Sequence, residues 1–283
     1  MKVIPVADTI DEAWLNTIEE LRHEPGGRAA HVVTTVTRPV RPDLSGISID
    51  PIFQATLEST LIARNPRWNR VESVAETIFP GSLYRWHMAS WSPELSEEER
   101  ADIEGRSRAF FDEYFEMHPL IKQAPANSWG DTYFGRLVDW NGNNQLDYWI
   151  SALRGKRELR KRTFGEANLA IAGEGEIAVG GQLRASTDHH HLGGPCLVHI
   201  NLSVVESRLN LLANYRHWYL QERAYGNLAG LASLLRFMSL QTGYPPGELM
   251  VVSGIAKAQT DARGGAGAID SLTAQLRTLV GPK

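Results

Sequence analysis

Cys196 is the only cysteine in the chain. It sits in the segment GGPCLVHINLSV, with Arg216 and then Asn227 following. A thiol supplies a nucleophile in its thiolate form, and a nearby guanidinium favours that form while gripping an anion in a forked geometry. A carboxamide donates and accepts at once, so it reads the polar edge of a ring. Together the three groups suit a covalent site for a pyrimidine nucleotide. A lone cysteine forms neither an internal disulfide nor a multi-thiolate metal site, so Cys196 either packs as a small apolar residue or reacts.

These residues fall in the most regular third of the chain. Residues 197–204 and 209–214 read as two strands joined by the polar turn Val205-Glu206-Ser207-Arg208, a hairpin that carries Cys196 into its first strand. Leu228, Leu231, Leu235 and Met238 recur at helical spacing, which predicts a buried helix from near Asn227 to Gly243, before Pro245-Pro246. A strand over 249–255 and an amphipathic helix over 269–279 follow.

Upstream, residues 11–22 read as a helix with Trp14, Leu15, Ile18 and Leu21 on one side and a Thr9/Glu12 capping box. Residues 31–37 read as a strand, 52–62 and 71–79 as helices, and 93–117 as a long helix. The long helix has a solvated acidic start and docks through Phe110, Phe111, Tyr114 and Phe115. A helix begins at 146–153 and ends in the basic run KRELRKR, and short strands are expected at 167–172 and 177–179. No repeat or linker divides the chain, so a single α+β domain is expected.

Composition sets broad limits. The chain has 283 residues, 42% apolar, with eight tryptophans, enough for a sizeable core. A formal charge of -4 gives no basic field, so no nucleic-acid partner is expected. The N-terminus lacks the pattern of a signal peptide and no stretch has the length of a membrane span, so the expected location is cytoplasmic, with no membrane partner. The run Asp188-His189-His190-His191 does not converge on one ion without an irregular loop, and no metal is expected. Gly264-Gly265-Ala266-Gly267 lacks the spacing and the lysine of a phosphate loop.

From Gly194 to Gln259 the chain resembles the thymidylate synthase and deoxycytidylate hydroxymethylase family. The resemblance rests on Pro195-Cys196 entering a strand, Arg216 at a strand exit and Asn227 near a long buried helix, in order and without gaps. It implies an α+β thymidylate-synthase-like fold over 1–283, a mixed sheet flanked by helices with a divergent helical insertion at about 88–127. It also implies a homodimer packed through a sheet face, and a pyrimidine nucleoside monophosphate as partner. Cys196 is then the nucleophile that adds to carbon 6 of the ring, and Arg216 holds the phosphate and activates the thiol. Asn227 pairs with the O4 and N3-H edge of uracil, whereas the family's cytosine users tend to carry Asp there. Weaker matches extend upstream to Arg64. Arg64-Asn65-Pro66-Arg67-Trp68 and the following Ala75 to Phe79 are similar to an early helix whose glutamate, here Glu76, relays protons. Tyr133, in Asp131-Thr132-Tyr133-Phe134-Gly135-Arg136, resembles a tyrosine beside the substrate, and Arg160 and Arg162 lie where the family reaches across the dimer to the partner's phosphate.

The departures bear on cofactor and sugar. His217 and Tyr219 occupy places where the family has Ser and a folate-holding Asp, so Tyr219 stands at the cofactor position of 5,10-methylenetetrahydrofolate without its carboxylate. Lys257 and Gln259 replace the His and Tyr that bind the sugar hydroxyl. Three readings stay open. One is a C5 hydroxymethylase or methylase with altered donor or sugar preference; another is a retired, nucleotide-binding or structural relative. The third is an unrelated Cys/His hydrolase with His199 or His217 as base. His199 follows Cys196 by three positions and so falls on the opposite face of a regular strand.

Overall fold

Residues 197–219 fold into the hairpin that their alternation predicts. A computed structural model describes residues 1–123, 131–140, 142–158, 168–169, 178–179, 195–262 and 264–281. Among these, β5 (Leu197–Val205) and β6 (Arg208–Tyr219) meet at a two-residue turn in which Glu206 and Ser207 both have positive φ, 50° and 61°. That conformation matches the twist of paired strands. The second strand runs beyond its expected end because Arg216, His217 and Trp218 continue the pairing with a third strand.

That strand is β7 (Pro246–Lys257), parallel to β6, and on its other side lies β2 (Arg28–Val36), antiparallel to it. The short β1 (Lys2–Val3) pairs with β2, while β3 (Asn168–Leu169) and β4 (Ala178–Val179) pair with β5. The result is a mixed sheet in the order β1-β2-β7-β6-β5-β3, with β4 also on β5. The rest of the two expected strands around β3 and β4, together with Arg160, Arg162 and the run 188–191, lies outside the described residues.

Nine helices accompany the sheet among the described residues: α1 (Ile10–Leu21), α2 (Pro51–Arg64), α3 (Val71–Glu76), α4 (Gly81–Tyr84), α5 (Glu97–Ile121), α6 (Tyr133–Val138), α7 (Gln145–Glu158), α8 (Tyr225–Thr242) and α9 (Gly265–Val280). The central one is α8. It is apolar around nearly its whole circumference, and such a helix belongs in an interior. Leu228, Leu231, Leu234, Leu235, Phe237 and Met238 are fully enclosed, and each contributes roughly 1.5–3 kcal/mol by burial. Phe237 joins an aromatic cluster with Phe79, Tyr84, Phe110, Phe111 and Phe134 that ties α5 and α6 to α8.

Several local expectations need correction. The long helix starts at Glu97, where Ser96 and Glu99 form a reciprocal capping box, and Phe115 is 39% exposed rather than docked. At α1, Thr9 caps Glu12 as expected, but the Glu12 carboxylate turns back to the N–H of Asp8 instead of Thr9. The helix at 71–79 stops at Glu76, where the ladder tightens and the N–H groups of Thr77 and Ile78 donate three residues back, to Val74 and Ala75.

Two glycines set the distance between α3 and α8. A Cβ on Gly226 would lie 2.8 Å from the Val71 carbonyl oxygen, and one on Gly230 would lie 2.7 Å from that of Ala75. A Gly230→Ala variant gains about 1 kcal/mol of helix propensity. It should nevertheless lose about 1–3 kcal/mol through overpacking, read from its urea midpoint; a midpoint at or above wild type would show that the helices separate freely.

Asp11 generates a pH-dependent prediction. It is buried at the start of α1, where it accepts from the Tyr225 hydroxyl (2.6 Å) and the Asp50 N–H (2.7 Å). Burial raises its pKa from 3.8 to about 6 against those bonds. The folded chain thus holds a proton that the unfolded chain releases, so the associated stability is full below about pH 4 and declines as pH rises to about 6. Relative to Asp11→Asn, wild type should lose on the order of 3 kcal/mol across that window in denaturant titrations. A constant difference between the two proteins would mean that Asp11 ionises at its ordinary pKa.

Candidate active site

Cys196 and Arg216 meet where the sheet changes which face is buried. In β6 the enclosed residues are Leu209, Leu211, Ala213 and Tyr215, and then Trp218; in β7 they are Leu249, Val251 and Ser253, and then Ala256. In β5 the pattern passes from Leu197 to Ile200 and Leu202, with Val198 left unpaired as a bulge. In β2, His31 adopts φ 54° at the level of Gly254. Four neighbouring strands thus switch parity along one line. Gly254 suits that line because a Cβ there would sit a tight 3.0 Å from the Arg216 carbonyl oxygen. Bulges re-aim side chains, and this line turns Arg216 toward the start of β5.

The resulting contacts are direct. The Arg216 N–H donates to the Cys196 carbonyl at 2.8 Å, and its Nε donates to the Pro195 carbonyl at 3.0 Å. The Tyr133 hydroxyl accepts from the N–H groups of Cys196 (3.2 Å) and Leu197 (3.4 Å). Tyr133 opens α6, whose Thr132 cap accepts from Gly135 at 2.8 Å and meets the Tyr114 hydroxyl at 2.6 Å. The Phe134 N–H in turn donates to the Thr77 carbonyl at 2.9 Å, so the backbone of Glu76-Thr77 is stitched to that of Tyr133-Phe134.

Burial pushes the Cys196 thiol above its ordinary pKa. The guanidinium groups of Arg216 and Arg223 and the His217 backbone N–H pull the other way, while Glu222 opposes them. The balance differs from the sequence expectation, which weighed Arg216 but not enclosure. Burial also raises Tyr133, to about 12, with the nearby thiol adding to the shift, and raises Tyr215, whose buried hydroxyl has no hydrogen-bond partner among the described residues.

Arg223, Glu222 and Tyr215 are the members that sequence reasoning missed. The first two lie on a π-helical turn, Leu220–Ala224, between β6 and α8. Glu222 and Arg223 pair at 3.2 Å, and Arg223 borders a narrow cleft with Glu58, Asn69, Val74 and Gly226. Tyr215 was legible only as an inward position of β6. A short polar stretch, Gln-Glu-Arg, joining a strand to a buried helix was the available signal for Arg223.

The other expected residues divide. Asn227 is 4% exposed in the first turn of α8, and its carboxamide makes no hydrogen bond among the described residues. The Glu76 carboxylate is raised by burial, against bonds from the Ser82 N–H (2.9 Å) and hydroxyl (2.8 Å). Gln259 uses its side-chain oxygen to accept from the N–H groups of Gln221 and Glu222, both at 3.0 Å, which anchors the turn that carries Arg223. Lys257 pairs with Asp261 at 2.9 Å at the exposed end of β7. His217 and Tyr219 project outward and stack on each other, with ring centroids 6.5 Å apart. His199 is partly buried beside Asn214, 3.2 Å away, and burial lowers its pKa. The bulge at Val198 breaks the regular alternation that set His199 opposite Cys196, yet no contact joins the two among the described residues.

No helix among the described residues is long and apolar enough to cross a membrane. No protein-family model matches the chain, and no curated protein matches it.

If Arg223 acts on the thiol, Arg223→Ala raises the Cys196 pKa further. Alkylation by iodoacetamide below that pKa should slow about threefold, the effect of half a pKa unit on the thiolate fraction. An unchanged pH profile of alkylation would remove Arg223 from the site.

Proposed function

We propose that the chain is a pyrimidine nucleotide C5 one-carbon transferase, a methylase or hydroxymethylase of thymidylate-synthase-like fold, working through a Cys196 adduct. The observation that carries this reading is the placement of Arg216 against the Cys196 segment, its N–H on the Cys196 carbonyl and its Nε on the Pro195 carbonyl, with Arg216 and Arg223 both favouring the Cys196 thiolate. Nearby, the first turn of α8 carries Asn227, 4% exposed.

Carbon 5 of a pyrimidine is a weak nucleophile. The Cys196 thiol loses its proton to water, and the thiolate electron pair forms a bond to carbon 6. The former C5–C6 π pair moves to carbon 5 and onto the O4 oxygen. Carbon 5 then takes a proton or a one-carbon electrophile and loses its original hydrogen as a proton; the C5–H pair re-forms the C5–C6 double bond and the C6–S bond breaks, returning the Cys196 thiolate. Two arginines suit this sequence better than one. An anionic phosphate on Arg216 weakens that group's hold on the thiolate, and Arg223 retains its own. Asn227 pairs with the O4 and N3-H edge, and Glu76, with its raised pKa, exchanges protons through water.

Methylenetetrahydrofolate is the donor that the resemblance implies. Tyr219 stands where the family holds it by a carboxylate, and its ring is stacked on His217 at the outer surface. These residues do not fit that hold, and no step is drawn through the folate. The open face of the sheet, with Val33, Leu212, Met250 and Val252 half-exposed, supports pairing of two copies.

A second reading, a retired nucleotide-binding relative, is favoured by the raised pKa of the thiol, which keeps it protonated at neutral pH. Tritium release from 5-labelled dUMP, dCMP, UMP and CMP separates the two. Wild type should release tritium from at least one of them, and Cys196→Ser should bind that nucleotide without release. Binding without release by wild type would establish the retired reading, and absence of both would sink the nucleotide assignment.

A further inference from the structure

Arg64, the last residue of α2, is 8% exposed, yet its Nε and Nη1 make no hydrogen bond among the described residues. Its Nη2 reaches only the Gly265 carbonyl, at a long 3.4 Å. Burial lowers its pKa, and no charged neighbour among the described residues contributes to the shift. A buried charge without a counter-charge is strongly unfavourable.

What faces this guanidinium makes the imbalance larger. Helix α9 spans sixteen residues and starts just after Gly264, which is left-handed at φ 85° and provides no side-chain cap. A Cβ on Gly264 would lie 3.8 Å from Arg64 Nη1, so the guanidinium sits against the helix start. The first-turn N–H groups of a helix have no intrahelical acceptor and form the positive end of its dipole. Cations belong at the other end. Gly264, Ala266 and Gly267 are exposed, and among the described residues no atom outside its own helix turn lies within 4 Å of where a Gly267 Cβ would be. Two electropositive groups therefore converge beneath an open surface.

We propose that Arg64 and the glycine-rich start of α9 form a binding site for a phosphate-class oxyanion, either inorganic phosphate or a terminal phosphate monoester. The Gly265 N–H is held by the Ala262 carbonyl at 2.9 Å, so the anion accepts from the N–H groups of Ala266 and Gly267, and Arg64 Nη2 exchanges its long contact with the Gly265 carbonyl for an anion oxygen. The site is independent of the reading given for Cys196.

The test is thermal unfolding of the full chain in rising inorganic phosphate at constant ionic strength, with uridine monophosphate as a parallel arm. At ten times its Kd, phosphate should raise the Tm of wild type by about 3 °C. Arg64→Met should lose that rise and, without phosphate, melt no lower than wild type. Arg216→Met should keep it. A rise with uridine monophosphate but not with phosphate assigns the site to the monoester if Arg64→Met abolishes it and Arg216→Met keeps it; the reverse pattern places the nucleotide at Cys196 and overturns the proposal. Equal rises in wild type and Arg64→Met would reduce the effect to general exclusion of phosphate from protein surfaces and overturn the proposal, as would no rise with either ligand. Loss of the rise in Arg216→Met would move the anion to Cys196 and overturn it too. If Arg64→Met does not fold, Ala266→Glu decides: a tethered carboxylate over the same turn must abolish the rise, and an undiminished rise overturns the proposal.

Discussion

Along the line through His31, Gly254, Arg216 and Val198, four strands exchange their inner and outer faces together. A strand that switched alone would set its apolar residues against water, since side chains alternate with a period of two. The switch is therefore collective. Its closest point is the approach of the Arg216 carbonyl to Gly254, which only a residue without a Cβ accommodates comfortably. Everything proposed for Cys196 depends on this line, because it turns the Arg216 side chain toward Pro195 and lets β5 begin beside it.

Helix α8 holds the other half of the arrangement. Its enclosure fixes the sheet on one side, and its two glycines bring α3 close enough for Thr77 to receive the Phe134 N–H. A chain of ordinary backbone bonds then runs from Glu76-Thr77 through Phe134-Tyr133 to the N–H groups of Cys196 and Leu197. The start of α8 is secured separately. The Tyr225 hydroxyl is bound by Asp11, and Trp14 donates to the Leu220 carbonyl at 2.7 Å, so the π-helical turn between β6 and α8 has anchors at both ends. Gln259 supplies the remaining hold on that turn.

The same enclosure sets the chemical trade-off at the thiol. Burial favours the protonated form and raises the Cys196 pKa, while two guanidinium groups and one backbone N–H favour the thiolate. A low-dielectric site strengthens every one of these influences. The site is thus poised by opposition, and small changes in the charge of Arg216 or Arg223 act on it directly.

Most long elements and the order of the site residues were legible in the sequence, whereas β1, α4, α6 and the π-helical turn at Leu220–Ala224, being short, left no periodic signal. Alternation and helical spacing marked the hairpin, α8, β7 and α9, because period-two and period-3.6 patterns are local consequences of burying one side of an element. The order of Cys196, Arg216 and Asn227 set a thiol, a guanidinium and a carboxamide on consecutive elements. What surrounds those groups came from the packing. The parity switch, the second guanidinium from Arg223, the engagement of Gln259 and the uncompensated charge of Arg64 all arise from residues distant in sequence. Desolvation and charge pairing depend on what lies around a group in space, and no spacing along the chain encodes that.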